Sequence, residues 1–250
     1  MKSSATHRRF IRAKSIESRY VRALRRIAHQ VDALIKAFDL SDEKHANQVI
    51  KLLNRYGGML KPWAQATGMR MLREVEAHNG RTWRRYTKDM GLAMRQELAN
   101  ADIGQVVKDA LAEQVRLITS LPLDAAQRVH DLTTEAVVSS QRAKEIAELI
   151  LDTGHVTRSR AELIARTEIG RTEAEFTKAR ANYVGSDGYI WRTALDKSVR
   201  PLHQKLEGKY FKWTEPPITG DKGERSLPGA IYNCRCYAEV VLPRNLLKAA

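Results

Sequence analysis

The chain has 250 residues, a formal net charge of +14 and an apolar content of 43%. This apolar content is sufficient for a folded core and excludes wholesale disorder. No apolar run approaches the roughly 18–20 residues that a membrane-spanning helix needs, and no secretory signal is visible. Two cysteines do not make the disulfide framework of a secreted protein, so we expect a reducing setting.

Basic residues are concentrated at the N-terminus. Residues 1–26 hold nine lysines and arginines against one acid, Glu17. Such a segment can neutralise DNA phosphates, and since no base-reading motif is evident, we expect contact that is independent of base sequence. A solvated helix face, or a dock for an acidic protein partner, would explain the same charge. The residues predicted to contact DNA are Arg8, Arg9, Arg12, Lys14, Arg19, Arg22, Arg25 and Arg26.

Residues up to about 184 are predicted to be helical almost throughout. An apolar stripe marks the first helix, with members every three or four residues. We expect a turn at Asn79-Gly80, a break at Pro122 and a helix end at Gly154. Residues 159–162, Ser-Arg-Ala-Glu, fit a capping box and predict the start of another helix. The stripe consists of Ile16, Tyr20, Leu24, Ile27, Val31, Leu34 and Phe38.

The sequence changes character at residues 185–188, Gly-Ser-Asp-Gly. Five of the seven prolines lie beyond this point, where few can sit inside a helix. Short runs typical of strands cover 189–194, 209–213 and 231–242. The predicted fold class is therefore α+β, a mostly helical chain with a small C-terminal α+β module. The predicted segments are a helical N-terminal region with a basic arm (1–99), a helical segment (100–184) and the module (185–250).

The chain's two cysteines, Cys234 and Cys236, are separated by one residue. In a strand their side chains would point to the same side, as two thiolates of a zinc site do. The missing ligands would be His203 and Asp196, which would complete a tetrahedral set. The pattern also fits two small buried apolar residues, and a redox or catalytic role stays open.

His203, Asp196 and Arg200 have further interpretations. His203 could hydrogen-bond within a small core, or act as a base between Asp196 and a cysteine nucleophile. Asp196 and Arg200 are four residues apart, which is the spacing of a helical ion pair. We favour this structural role for Arg200.

Two Arg-Thr-Glu triplets begin at Arg166 and Arg171. Residues five apart do not share a helix face. A phosphate contact is conceivable, but a solvated or interhelical surface of ion pairs is the favoured prediction.

The C-terminal third carries an ordered set of motifs. Ile-Ala-Arg-Thr-Glu at 164–168 precedes the spacing W-x-T-x-x-D-x-x-x-R-x-x-H-x-x-L-x-G, which runs from Trp191 to Gly208. The spacing P-G-x-x-x-x-C-R-C then begins at Pro228. In this order, over residues 160–243, the chain resembles the phage Mu F-like minor head proteins, the phage head morphogenesis family.

The resemblance implies a minor head protein of a tailed bacteriophage or prophage, acting near the portal during head assembly. The implied partners are portal and capsid proteins and the packaged double-stranded DNA. The implied location is the virion, in the head interior or portal region, after assembly in the host cytoplasm. It establishes no enzymatic activity, and we expect signature residues Trp191, Arg200 and Gly208 to be structural. The alternative is a nuclease or other hydrolase that uses His203 with Asp196 or with the Cys234/Cys236 pair.

Overall fold

The computed structural model describes residues 13–39, 43–86, 103–139 and 143–243. Within these ranges the predicted fold class is confirmed: a mostly helical chain carries a small three-stranded sheet near its C-terminal end. No described helix is both long enough and apolar enough to cross a membrane. The elements are α1 (Lys14–Lys36), α2 (Glu43–Met59), α3 (Lys61–Tyr86), α4 (Gly104–Ser139), α5 (Ala143–Leu151), α6 (Thr153–Tyr183), β1 (Gly188–Arg192), α7 (Pro201–Gln204), β2 (Tyr210–Lys212) and β3 (Tyr237–Val241).

The described residues form two compact units, each assembled from separate stretches of the chain. The helical unit comprises residues 18–39, 43–70, 111–139 and 143–165. The mixed unit comprises residues 13–17, 71–86, 103–110 and 166–243, and it contains the sheet. The sequence predicts three consecutive segments, and the boundary near residue 185 coincides with the change from helix to sheet. That these segments are domains remains a prediction.

The helical unit buries most of the apolar stripe that the sequence predicts for α1. Ile35 continues the buried stripe at the end of the helix, whereas Leu34 is only half-buried. The Tyr20 hydroxyl donates a hydrogen bond to Gln114 Oε1 at 2.7 Å, which gives the buried amide a partner. The other buried members are Leu24, Ile27 and Val31, each worth about 1.5–3 kcal/mol when fully buried.

Of the four breaks predicted within the helical region, those at Asn79-Gly80 and Pro122 are wrong, and those at Gly154 and 159–162 are displaced from the helix boundary at Asp152. Asn79-Gly80 lies inside α3, and Pro122 lies inside α4. Gly154 is the second residue of α6, and the proposed capping box at 159–162 is also inside that helix. In each case, tertiary packing outweighs the local preference of the residue.

Two of the helical unit's glycines have a packing role. A Cβ atom on Gly57 would lie 2.8 Å from Leu123 Cδ2, so α4 lies close to α2 at this glycine. A Cβ atom on Gly154 would collide with the Asp32 carboxylate of α1. These glycines admit a neighbouring helix, and they do not end their own.

The sheet of the mixed unit is antiparallel, in the order β2-β1-β3. Central strand β1 pairs Gly188 with Lys212 on one side and with Val241 on the other. Its buried face presents Tyr189 and Trp191, both fully buried. The core around them includes Trp83 of α3, Ala174 and Ala181 of α6, Trp213, and both cysteines.

The first two predicted strands are confirmed to within two residues at each end, but the third is wrong over its first half. Strand β3 covers only Tyr237–Val241, and residues 231–236 form a turn and loop. Asn233 has φ 52°, in the left-handed region, which is incompatible with a strand. Tyr232, within the predicted strand, is exposed. Both cysteines therefore lie on a loop.

Candidate functional site

The structure brings His203, Cys234 and Cys236 together in the mixed unit, and all three are buried. His203 Nδ1 lies 3.5 Å from Cys234 Sγ and 3.5 Å from Cys236 Sγ. The three ligand atoms all lie within 4.8 Å of one another. Two thiols and an imidazole at these distances form a donor set suited to zinc.

The loop that carries the cysteines is fixed from two directions. Arg200, just before α7, donates a hydrogen bond to the Tyr232 carbonyl at 2.7 Å. Gly229 has φ +93°, and its carbonyl oxygen would lie 2.5 Å from a Cβ atom on Gly170 of α6. The loop therefore packs directly against the α6 backbone. This contact depends on both glycines, and sequence reasoning missed Gly170.

His203 is oriented by its second ring nitrogen. Nε2 lies 3.0 Å from the carbonyl oxygen of Thr219, and Thr219 is also buried. Because a carbonyl only accepts hydrogen bonds, Nε2 carries the proton, and in the neutral ring Nδ1 presents its lone pair to the two sulphurs. Trp191 packs edge-on against the imidazole with ring centroids 5.4 Å apart. The ring is thus held in one position and one tautomer.

The two cysteines shift each other's pKa in opposite directions. The hydrogen bond with Cys236 lowers the pKa of Cys234 to about 4, against the effect of burial. The same hydrogen bond raises the pKa of Cys236 above its usual range. The hydrogen bond with Cys234 also raises the pKa of His203. A thiolate is the form of cysteine that binds metals or acts as a nucleophile.

Asp196, the fourth ligand predicted from the sequence, lies outside this cluster. Its carboxylate is exposed, 2.6 Å from Arg235 Nη2, and it accepts a hydrogen bond from the Ser198 backbone at 2.9 Å. The Arg235 hydrogen bond lowers the pKa of Asp196. The predicted helical pair with Arg200 is wrong, because α7 begins only at Pro201 and Arg200 instead binds the loop.

A cleft of about 440 Å³ opens beside the cluster. The charged residues along it are three arginines and one glutamate, so the cleft is electropositive. Its lining residues are Glu17, Arg166, Ser198, Val199, Arg200, His203, Asn233, Cys234, Arg235 and Cys236.

The structure assigns local roles to the signature residues Trp191 and Gly208. Trp191 is fully buried beside His203. The backbone carbonyl of Trp191 accepts a hydrogen bond from the backbone N–H of Gly208, in the turn after α7, at 2.9 Å. Gly208 has φ +74°, a conformation that favours glycine.

Of the predicted solvated or interhelical surface of ion pairs, the structure shows an interhelical pair between Arg166 of α6 and Glu17 of α1 at 3.6 Å, whereas the glutamates of both triplets are not solvated. Glu168 and Glu173 are buried, while Arg166 and Arg171 remain partly exposed. Arg171 pairs with Glu168 at 2.8 Å. The two glutamates of the triplets on α6 are therefore buried within the mixed unit.

Sequence reasoning also missed a buried polar network between α3 and α6. Asn79 donates to Glu173 Oε1 and to Thr177 Oγ1, each at 2.9 Å. Arg180 donates to Asn79 Oδ1 and pairs with Glu76 at 2.6 Å. Burial raises the pKa of Glu173 to about 8, although Asn79 and Arg180 oppose this. No local signal marked these residues, which are far apart in the sequence.

The predicted DNA-contacting residues fall into two groups. Arg8, Arg9 and Arg12 lie outside the described residues. The others are on α1 and exposed, but Arg25 pairs with Glu162 at 2.7 Å. The exposed residues are Lys14, Arg19, Arg22, Arg25 and Arg26.

Two known proteins are similar in sequence to parts of this chain. It is 32% identical over 156 residues to an uncharacterized protein of Haemophilus influenzae, covering 62% of this chain and 34% of that protein. It is 31% identical over 112 residues to an uncharacterized protein of Methanocaldococcus jannaschii, covering 44% of this chain and 17% of that protein. The chain thus spans about a third or less of these relatives, and no solved structure matches it.

The family comparison matches the region that contains the cluster. Residues 127–239 match the family described as Phage Mu protein F like protein. This range includes α6, the sheet up to β3, His203 and both cysteines. Residues 127–239 are therefore similar to this family, in agreement with the resemblance that the sequence motifs indicate.

Proposed function

We propose that this chain is a phage or prophage minor head protein that acts in head morphogenesis by binding and scaffolding. The family match over residues 127–239 carries the proposal. The relatives are much longer than this chain, so the proposal concerns the role of this region and not that of every protein that contains it.

Its proposed partners are the portal and capsid proteins and the packaged double-stranded DNA. The net charge of +14 and the exposed cations of α1 support contact with DNA, since neutralising phosphates releases counterions. This contact would not depend on base sequence. The proposed location is the virion, near the portal.

The proposed mechanism involves no catalysis. A hydrolase that pairs His203 with Asp196 finds little support, because Asp196 is engaged by Arg235 outside the buried cluster. The thiol–imidazole cluster itself has a non-catalytic explanation, developed below.

The test is co-expression of the chain with the portal and capsid proteins of its own phage. We expect the chain to co-purify with the portal and to be present in assembled heads at a low copy number. Heads assembled without it should be fewer or less infectious. Absence from purified heads, with no affinity for the portal, would contradict the proposal. So would digestion of DNA by the pure chain that a His203→Ala variant loses.

A further inference from the structure

We propose that His203, Cys234 and Cys236 bind one zinc ion through three protein ligands, and that its fourth position opens into the electropositive cleft, where it takes water or a small anion. This proposal is independent of the role in head assembly. It differs from the site expected from the sequence, because Asp196 is not a ligand.

The donor distances match those of a tetrahedral centre. Zinc binds thiolates at about 2.3 Å and imidazole nitrogen at about 2.0–2.1 Å. With tetrahedral angles, these bonds place nitrogen and sulphur about 3.6 Å apart. His203 Nδ1 lies 3.5 Å from each of the two sulphurs.

The surroundings of His203 are those of a metal ligand. Metal-bound histidines usually donate their other ring N–H to a carboxylate or carbonyl, which fixes the tautomer. Here Nε2 donates to the Thr219 carbonyl at 3.0 Å. That carbonyl is positioned in turn by a tight turn in which the Thr219 backbone donates to the Glu224 carbonyl at 2.8 Å. Nδ1 is therefore directed at the sulphurs before any metal arrives.

The fourth position has no protein donor within the part of the chain that the structure describes. The metal-ligating groups there number three, and the nearest predicted candidate, Asp196, is held by Arg235 and by the Ser198 backbone. Structural zinc sites usually close with a fourth protein ligand, whereas sites with three keep a position for an exchangeable ligand.

The cleft favours an anion at that position. All three proposed ligands line it, together with Arg166, Arg200 and Arg235. Arg166 lies 3.6 Å from Glu17, and Arg235 is paired with Asp196. Among the described residues, no carboxylate pairs with Arg200, whose guanidinium binds the Tyr232 carbonyl. Arg200 thus leaves positive charge beside the metal.

The first experiment is elemental analysis of the full chain, purified without added metal or chelator. We expect about one zinc per chain. Cys234→Ser, Cys236→Ser and His203→Ala should each lose it. Asp196→Asn should keep it, and so should His155→Ala, which changes an exposed histidine on α6. Loss of zinc in Asp196→Asn, with the fold intact, would contradict the three-ligand assignment.

The second experiment replaces zinc with cobalt in the wild-type chain, so it does not depend on variants that fold. The visible spectrum should show thiolate-to-cobalt charge transfer from two sulphurs and the ligand-field bands of a four-coordinate ion. Thiocyanate should shift those bands if the fourth position is exchangeable. Arg200→Gln should weaken thiocyanate binding several-fold while the metal stays bound, and Arg200→Lys should restore much of it.

Two further results would overturn the proposal. One is a chain that takes up neither zinc nor cobalt under reducing conditions, which would leave the cysteines as core residues. The other is a cobalt spectrum whose ligand-field bands do not shift when thiocyanate or imidazole is added, which would indicate a closed site with a fourth protein ligand.

Discussion

The two units of this protein differ in what they bury. In the helical unit, the buried polar side chains among the described residues are the neutral Gln114, Thr153 and Thr157. The mixed unit buries charged groups, among them Glu168, Glu173 and Arg180, in addition to His203 and two cysteines. Ion pairs of the helical unit such as that of Lys36 with Asp32 lie largely at its surface.

This difference indicates where specific chemistry resides. An apolar bundle with surface charges tolerates many sequences of the same pattern. Buried charges and thiols are costly unless their partners are correctly placed, so their presence constrains particular residues. The helical unit is accordingly suited to a scaffold, and the mixed unit to a defined site.

The largest expected effect is that of removing the metal. If free zinc is present at about a thousand times its dissociation constant, binding adds about 4 kcal/mol to the free energy of unfolding. Stripping zinc with a chelator should therefore destabilise the mixed unit by about that amount. Hydrogen exchange would locate the effect, with amides of β1 and β3 losing protection and those of α1 between Ser18 and Lys36 keeping it.

Cys234→Ser provides the matching variant, since serine removes the thiolate at nearly the same volume. It should reproduce the hydrogen-exchange pattern of the zinc-free protein, and the chelator should no longer lower the stability of the mixed unit in this variant. Equal loss of protection in α1 would contradict the separation of the two units. An unchanged melting curve would remove both the metal and the core interpretations of this cysteine.

Glu173 should make the mixed unit less stable as the pH rises. Its pKa is raised from 4.5 to about 8, so the folded state keeps a proton that the unfolded chain releases. This contribution is present in full below pH 4.5 and is lost as the pH rises through 8. Because each unit of pKa difference between the folded and unfolded states corresponds to about 1.4 kcal/mol, we expect a loss of several kcal/mol in the free energy of unfolding between pH 4.5 and 8.

Denaturant titrations at several pH values would measure this dependence. Glu173→Gln, which mimics the protonated side chain, should flatten it and should leave stability near pH 5 almost unchanged. Glu175→Gln, on the same helix, should leave the dependence in place. A wild-type protein with constant stability from pH 5 to 8 would show that Glu173 is ionised when folded.

Gly170→Ala should destabilise the mixed unit by about 1–3 kcal/mol, because its methyl group would press on the Gly229 carbonyl. Gly58→Ala is the matched control in the helical unit. No atom lies within 4 Å of a Cβ at Gly58, so alanine should stabilise α2 by up to about 1 kcal/mol. Thermal unfolding would compare the two variants. Similar effects at both positions would mean that the loop does not pack as closely on α6 as described.

The sequence was informative where periodicity alone determines structure. The stripe on α1 predicted that helix and most of its buried residues, since a helix buries one face whatever its partner. The strands at 189–194 and 209–213 were predicted for a similar reason. Asn79-Gly80 and Pro122 misled because their local preference for a turn or a break is weaker than the packing of the helices that contain them.

The candidate site was predictable in its residue types but not in its geometry. Spacing by two suggested that Cys234 and Cys236 share a side, and they do converge on His203, although by a loop and not by a strand. Asp196 could not be assigned from spacing, because its partner Arg235 approaches only once the chain has folded. The same holds for the contact of Gly170 with Gly229.

The smallest effects on stability are expected on the exposed face of α1. Arg22→Gln with Arg26→Gln should change the free energy of unfolding by no more than about 0.5 kcal/mol, since surface substitutions rarely do more. If each residue contacts one phosphate, the slope of log affinity for DNA against log salt should fall by about 1.8. Arg25→Gln is the control, because Glu162 already holds that guanidinium at 2.7 Å, and its slope should change less. Fluorescence anisotropy on duplex DNA at several salt concentrations would measure all three chains. Equal slopes for all three chains would show that these cations serve the surface of the helical unit and do not contact DNA.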